Sequence, residues 1–372
     1  MQYKSCSTED IAFCRSLISA QLPGRCCIAD NDFRNSSIIT ARNIHKDEIN
    51  KLGAIRFANE SGQTLVDFFS ENSIKTKTKS NSTRKHACHI EALTNELQKS
   101  LWDQPPSSTD KLIARKLSLY IGLPVMIWAN FATELCNTKG QEGHIHGWQS
   151  AKETKCQWID TLFVKLDNPL SNVQLEGLPE NVVSLTCSLT TIKASLPNDN
   201  TIFILQSQVE VLVNFGMTDF ALQEKTRNMN PVDLNNLKTH QAYYTALSCS
   251  LSAKGTITQG FDSWKMTGGA SGALRQEFRE LELLDEISNL HYLGKLHKSV
   301  IGDTHNHLIK CFQEWKGYQY VPQNVHKSIC CTAVVGLFRG GVKITLAKFC
   351  ILKSHFMVSQ NLMIMPSIKM SL

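Results

Sequence analysis

The stretch that decides the fold class is Ser37–Thr40 (SIIT), followed by Ala41–Asn50 (ARNIHKDEIN). The first run is short and β-prone, so it predicts a strand. The second run has apolar residues at helical spacing and predicts a helix. A strand, a polar turn and a helix form the βα unit of a parallel sheet. The chain is therefore predicted to be an α/β protein.

Size and composition place the chain among soluble globular proteins. Its 372 residues are enough for two or three modest domains with cores of their own. Hydrophobic residues make up 42% and charged residues 19%, which fits that class although charge is low. The net charge of +6 is weak evidence for a polyanionic partner, and it leaves both a nucleic-acid binder and an ordinary basic protein open.

The cysteines and the N-terminus indicate an intracellular, reducing location. The 13 cysteines are scattered without a Cys-x-x-Cys pair, which is typical of free thiols. The N-terminus has no apolar signal core, and no stretch reaches the ~18 apolar residues of a membrane span. We predict no membrane partner and a nuclear location, with the cytoplasm as the alternative.

Further patterns divide the chain into segments. A capped helix is predicted to start at Thr8–Asp10 and to end at Pro23-Gly24, and Val209–Thr218 reads as one strand. Short β-like runs at 143–148, 158–166 and 181–189 predict a small inserted β-barrel. An amphipathic helix follows Gly268-Gly269, with an apolar stripe at Leu274, Phe278, Leu281, Leu284, Ile287 and Leu290.

These patterns predict a linker helix over 1–30 and an α/β domain over 31–262. The α/β domain carries a basic loop at 70–110 and the small barrel at about 140–205. A helical extension over 270–328 and an unspecified tail over 329–372 follow it. Five cations and no acid lie between residues 75 and 85, namely Lys75, Lys77, Lys79, Arg84 and Lys85. The polar segment 70–88 is either a solvated surface loop or a loop that follows a phosphate backbone.

The chain lacks the Gly-x-x-x-x-Gly-Lys-[Ser/Thr] loop that holds nucleotide phosphates. ATP hydrolysis by these residues alone is therefore not expected. Leu283–Ser288 (LLDEIS) imitates an Asp-Glu pair that binds Mg²⁺, but its polar surroundings predict the solvated face of a helix.

A series of short motifs follows in a fixed order along the chain. It comprises 38–43 (IITARN), 48–50 (EIN), 122–126 (GLPVM), Asn130, 135–137 (LCN), Gly140, 208–209 (QV), 215–218 (FGMT), Gln223, Thr226 and 243–250 (YYTALSCS). The series resembles the second motor half of PIF-type, RecD-like superfamily-one DNA helicases. It is especially similar to the copies carried by Helitron-type rolling-circle transposons of fungi. The resemblance covers residues 8 to about 330.

The resemblance implies a RecA-like second motor domain of the P-loop NTPase fold, with an inserted SH3-like β-barrel and a C-terminal helical extension. In that family ATP and Mg²⁺ are the cofactors of a hydrolase that unwinds DNA. Single-stranded DNA is the implied partner, and a first motor domain acting in trans is a further one. The implied nucleic-acid contacts are Thr40, Asn43, Lys75, Lys77 and Lys79. Thr218, Gln223 and Thr226 fall in the loop that couples DNA to nucleotide, and Ser248 adjoins the arginine-finger position.

Two departures from the family pattern affect the nucleotide cleft. The loop that usually reads Ser-Gln-Gly is Leu222-Gln223-Glu224, so a flexible glycine is replaced by a charged side chain. The arginine finger is replaced by Cys249, and such a finger is worth on the order of 10³–10⁵ in rate. We predict that no catalytic residue is intact and that the chain is a truncated helicase remnant. The alternatives are a non-catalytic module that binds single-stranded nucleic acid or a protein partner, and a non-functional product.

Other candidate sites have a plainer explanation beside the functional one. His86, Cys88 and His89 have no second ligand pair at zinc-finger spacing, and His144, His146, His305 and His307 read as surface histidines, so no metal site is predicted. Cys249 has no paired histidine in its motif, which argues against a nucleophile. Trp128, Trp148 and Trp158 either stack on bases or pack in the core.

Overall fold

The computed structural model describes residues 1, 3–19, 27–77, 88–152, 157–195, 201–223, 225–318 and 320–322. Its α-helices are α1 Thr8–Ser16, α2 Asn31–Arg34, α3 Asn43–Ser61, α4 Asn95–Trp102, α5 His240–Ser248, α6 Gly272–Tyr292 and α7 His305–Lys316. Its strands are β1 Ile38–Thr40, β2 Val66–Phe69, β3 Glu71–Lys77, β4 Cys88–Ala92, β5 Lys116–Leu119, β6 Pro124–Ile127, β7 Glu142–Lys152, β8 Gln157–Leu166, β9 Val182–Thr186, β10 Ser188–Ser195, β11 Thr201–Gln208, β12 Val211–Val213, β13 Gly216–Thr218, β14 Asn230–Asp233 and β15 Thr256–Gln259.

A parallel sheet with the order β13-β1-β14-β15 forms the α/β part of the chain. The predicted strand at Ser37–Thr40 is confirmed as β1, and the helix predicted after it is confirmed as α3. This helix runs eleven residues further than predicted and ends at Ser61, followed by the capping residue Gly62, whose φ of +65° favours glycine. The mixed α/β class predicted from this βα unit is therefore confirmed.

Apolar side chains from sheet and helices form the core of this part. Ile39, Met217 and Val232 lie on three neighbouring strands and are 0 to 2% exposed. Tyr243 and Ala246 of α5 pack against the same cluster. The strands read as short apolar runs because their side chains are covered on both faces of the sheet.

A large antiparallel region lies between α3 and β13. Its strands form three sheets with the orders β10-β11-β3-β4, β12-β6-β7-β8-β9 and β2-β5. A second apolar core, which includes Phe68, Ile127 and Leu162, joins these strands. The strands of this region extend from Val66 to Val213, beyond the 140–205 expected for the inserted barrel. The SH3-like barrel itself stays a prediction, because the described strands pair in separate sheets.

The prediction of a basic loop over 70–110 is wrong for the described part of that segment. Strands β3 and β4 and helix α4 lie there, and β3 pairs antiparallel with both β11 and β4. Two flanking strands satisfy the backbone groups of β3, which outweighs its polar composition. Lys75 and Lys77 lie in β3, whereas Lys79, Arg84 and Lys85 lie outside the described residues.

Two predicted elements differ in extent. The predicted strand at Val209–Thr218 is two strands, because the amide of Asn50 binds the backbone between them: its Oδ1 accepts hydrogen bonds from the N–H groups of Phe215 (2.9 Å) and Gly216 (2.7 Å). Helix α1 ends at Ser16 rather than at Pro23-Gly24. The chain then extends along β15, where Ile18 forms a parallel bridge to Thr258.

The helix predicted after Gly268-Gly269 is confirmed as α6, and Leu274, Phe278, Leu281 and Ile287 of its stripe are buried. The pair Asp285-Glu286 lies within this helix, as predicted, and not at the end of a strand. The unspecified tail 329–372 lies outside the described residues. Within the described ranges, none of the helices combines the length and the apolar character that a membrane crossing requires.

Candidate functional site

Thr40 and Thr218 lie side by side at the carboxyl ends of two parallel strands. They occupy the same register, Thr40 at the end of β1 and Thr218 at the end of β13. In open α/β sheets, ligands bind outside this edge. The Thr40 side chain is 0% exposed and its Oγ1 has no hydrogen-bond partner, whereas Asn43 in the first turn of α3 is partly exposed. Of the two residues predicted to contact nucleic acid here, Asn43 is the one at the surface.

The segment after β13 turns back on the strand end. The N–H groups of Ala221 (3.0 Å) and Leu222 (3.2 Å) donate to the carbonyl oxygen of Thr218, and Leu222 is 0% exposed. Gln223 is partly exposed and Thr226 is exposed, so both predicted coupling residues reach the surface. Glu224 lies outside the described residues.

Cys249 joins the end of α5 to this same segment. Its thiol donates a hydrogen bond to the carbonyl oxygen of Leu222 across 3.5 Å. Burial raises the pKa of the Cys249 thiol to about 11, so at neutral pH the group carries no charge. Ser248, the last residue of α5, is exposed and its hydroxyl donates to the carbonyl oxygen of Thr245 at 3.2 Å. The structure thus places Cys249, the predicted arginine-finger position, against the predicted coupling segment as a neutral, weak donor.

Two cations that follow Leu222, namely Lys225 and Arg227, were not singled out from the sequence. Arg227 is joined to the residues after α5 by backbone hydrogen bonds, donating to Cys249 at 2.8 Å and accepting from Leu251 at 2.9 Å. Its guanidinium Nη1 lies 3.4 Å from Oε1 of Glu142, and Nζ of Lys225 lies 2.7 Å from that same oxygen. Glu142 begins β7 in the antiparallel region, so this carboxylate ties that region to the predicted coupling segment. The ion pair links residues more than 80 positions apart, and a single sequence holds no signal for it.

The remaining candidates fall into two groups. Trp148 packs edge-on against Phe68, with ring centroids 5.3 Å apart, and borders the antiparallel core. Trp158 is partly exposed in β8, and Trp128 is partly exposed directly after β6. Trp148 therefore follows the core-packing interpretation, and the other two leave the stacking interpretation open.

The histidines form surface contacts. Nδ1 of His144 lies 2.9 Å from Oδ1 of Asp167, and the hydrogen bond to this carboxylate raises the pKa of His144. His146, His305 and His307 are exposed, and His86 lies outside the described residues. Within the part of the chain that the structure describes, no three His, Cys, Asp or Glu side chains are grouped so that they could hold a metal ion.

ATP and Mg²⁺, which the resemblance implies, do not fit the residues present. Cys249, at the predicted finger position, is a neutral thiol whose proton is donated to the carbonyl oxygen of Leu222. The guanidinium of Arg227 is held by Glu142, and the Asp285-Glu286 pair lies in α6. The 372 residues also contain no phosphate-binding loop. We therefore derive no hydrolytic step from this site.

The sequence matches no protein-family model and no curated protein sequence. Among solved structures, the chain is similar to a Pif1 helicase from Candida albicans at 14% identity and a TM-score of 0.48, over 75% of this chain and 55% of that one. It is also similar to Bacteroides Pif1 bound to ssDNA, at 13% identity and a TM-score of 0.44, over 75% and 51%. A third similar structure concerns DNA unwinding at forked dsDNA by two coordinating Pif1 helicases, at 12% identity and 0.44, over 79% and 50%. The chain spans about half the length of each of these structures.

Proposed function

We propose that these residues form the second motor half of a PIF-type DNA helicase that binds single-stranded DNA but does not hydrolyse ATP by itself. The observation that carries the proposal is the meeting of three motif segments. Thr40 and Thr218 share one sheet edge, and the segment after Thr218 packs on Cys249. Thr40 and Thr218 are 178 residues apart and Leu222 and Cys249 are 27 apart, and motifs that each matched by chance would not be expected to meet at one sheet edge.

The proposal assigns DNA contact to the surface at the start of α3. Asn43 is its surface member, and Lys75 and Lys77 of β3 are further proposed contacts. Gln223, Thr226 and Ser248 are proposed to face the cleft that a first motor domain would complete in trans. An origin in a Helitron-type transposon and a nuclear location belong to the same proposal.

The loss of ATP hydrolysis follows from charge at the cleft. Phosphoryl transfer needs a cation free to neutralise the developing charge of the transition state. Cys249 provides none, and Glu142 already engages the charges of Lys225 and Arg227. Even with a phosphate loop supplied by another domain, this half would contribute little to the rate.

The test is a pair of measurements on the purified chain. A labelled oligothymidine titration over a salt series should show binding that weakens steeply with salt, because phosphate contacts release counterions. ATP hydrolysis with and without the same oligonucleotide should stay at background. Absence of binding at low salt contradicts the DNA-binding half of the proposal, and DNA-stimulated turnover contradicts the other half.

A further inference from the structure

Trp128 is held rigidly outside the core. Its backbone N–H donates to the carbonyl oxygen of Glu210 at 2.9 Å, and its indole Nε1 donates to the carbonyl oxygen of Lys111, also at 2.9 Å. The preceding residue, Ile127, is 0% exposed, whereas Trp128 is partly exposed. The side chain therefore has a fixed orientation and a surface that the core does not use.

Two ammonium groups lie around this ring. Nζ of Lys139 is 4.3 Å and Nζ of Lys46 is 5.9 Å from the ring centroid. Lys139 is exposed, and its backbone N–H donates to Oδ1 of Asn130 at 2.8 Å. The attraction of a cation for an aromatic face holds the Lys139 head near the ring in the absence of a ligand.

Lys46 is the unusual member of this group. It is 3% exposed, and its ammonium makes no hydrogen bond. Oδ1 of Asp47 lies 3.3 Å away and offsets the charge, but the other carboxylate oxygen already accepts the N–H of Ser107. Burying donors without partners costs free energy. Lys46 thus places a buried positive charge, which Asp47 offsets, beside the aromatic ring.

We propose that Trp128 is a stacking platform for one unpaired base of single-stranded nucleic acid, with Lys139 as the partner of the adjoining phosphate and Lys46 as a buried positive charge beside the ring. The inference rests on the proposed function and names a subsite for it. An aromatic face with flanking cations is the combination that recognises unpaired nucleotides, since base faces are hidden within a duplex. The base displaces the Lys139 head from the ring, and the long side chain then reaches the phosphate. Lys46 belongs to the same first turns of α3 as Asn43, so the subsite continues the proposed DNA surface.

A matched pair of variants tests the platform. Trp315 in α7 also carries an ammonium, Nζ of Lys316, 4.3 Å from its ring centroid, but it belongs to the packing of α6 against α7. We expect Trp128→Leu to weaken binding of a labelled 15-mer oligothymidine at low salt by roughly 5- to 150-fold, the loss of one stacked base. Trp315→Leu should leave binding within twofold, and Trp128→Phe should retain most of it.

The lysine variants give a second readout that does not depend on the fold of the Trp128 variants. Lys139→Met should reduce the slope of log affinity against log salt by about 0.7, the value for one phosphate on a single strand, and Lys316→Met should not. If Trp128→Leu fails to fold, the salt dependence of Lys139→Met tests the inference, and a slope equal to that of the parent chain overturns it. If the parent chain binds and Trp128→Leu binds equally well, the platform alone is wrong. If the parent chain shows no salt-sensitive binding, the proposed function is wrong and the platform with it.

Discussion

The thiol of Cys249 donates a hydrogen bond to the carbonyl oxygen of Leu222, 3.5 Å away, and so fastens the end of α5 to the segment that follows β13. The acceptor residue is fully buried. A charged arginine at the same position would have to leave this packing and reach toward solvent. Cys249 therefore makes a structural contact at the position where the family resemblance predicts a cation.

This contact predicts slow alkylation of Cys249. Because burial raises its thiol pKa to about 11, the thiolate that reacts with iodoacetamide is scarce at pH 8. We expect the rate at Cys249 in the folded protein to rise about tenfold per pH unit from 8 and to level off only near pH 11. Peptide mass spectrometry of timed reactions measures it.

The urea-unfolded chain is the control for this measurement. In the unfolded chain, the alkylation rate of Cys249 should level off near pH 9.0, the ordinary pKa of a cysteine thiol. If the rate levels off at the same pH in the folded and the unfolded chain, Cys249 is not shielded, and the close packing against Leu222 is wrong.

The carboxylate of Glu142 is predicted to stabilise the chain more than an ordinary surface ion pair. It is 30% exposed and faces the ammonium of Lys225 and the guanidinium of Arg227, which are 22% and 12% exposed. We expect Glu142→Gln to lower the free energy of unfolding by about 1–2 kcal/mol, since it leaves two partly buried cations without their anion. Urea unfolding followed by far-UV circular dichroism measures the difference.

Glu60 offers a matched control. It pairs with Arg34 and Arg56 at the surface, with all three side chains 36 to 41% exposed. Glu60→Gln should cost less than about 1 kcal/mol and should matter still less at high salt. A cost for Glu142→Gln no larger than that of Glu60→Gln would contradict the tie between the antiparallel region and the segment that follows β13.

Asn50 is predicted to be a structural residue. Its side chain is 8% exposed and binds the backbone of Phe215 and Gly216 through three hydrogen bonds. Asn50→Leu keeps the size but leaves two buried N–H groups without an acceptor, so it should cost about 2–4 kcal/mol. Thermal and urea unfolding measure this, with the exposed Asn59 of the same helix as the control site. A loss at Asn50 as small as that of Asn59→Leu would contradict its role in ending β12 and starting β13.

These residues mark what a single sequence can predict. The strand at Ile38–Thr40 and helix α6 follow from local patterns, because β-branched runs and a 3.6-residue stripe are local properties. Strand β3 does not, because it exists through pairing with β11, some 130 residues later. The contact between Glu142 and Lys225 is equally non-local. The sequence also held no sign that Thr40 would be buried whereas Asn43 would lie at the surface.

Thr40 and Asn43 were both predicted to contact DNA, but Thr40 is buried and Asn43 lies at the surface. The Thr40 hydroxyl is 0% exposed and has no hydrogen-bond partner, so Thr40→Val should leave the free energy of unfolding unchanged or raise it by up to about 1 kcal/mol. It should also leave oligothymidine affinity within twofold. Asn43→Ala removes a polar group at the surface of the same edge, and we expect it to weaken binding by about 3- to 10-fold, the size of one hydrogen bond. An equal loss of affinity in Thr40→Val, without a change in stability, would mean that this strand end opens when DNA binds, because only then could the buried hydroxyl reach a phosphate.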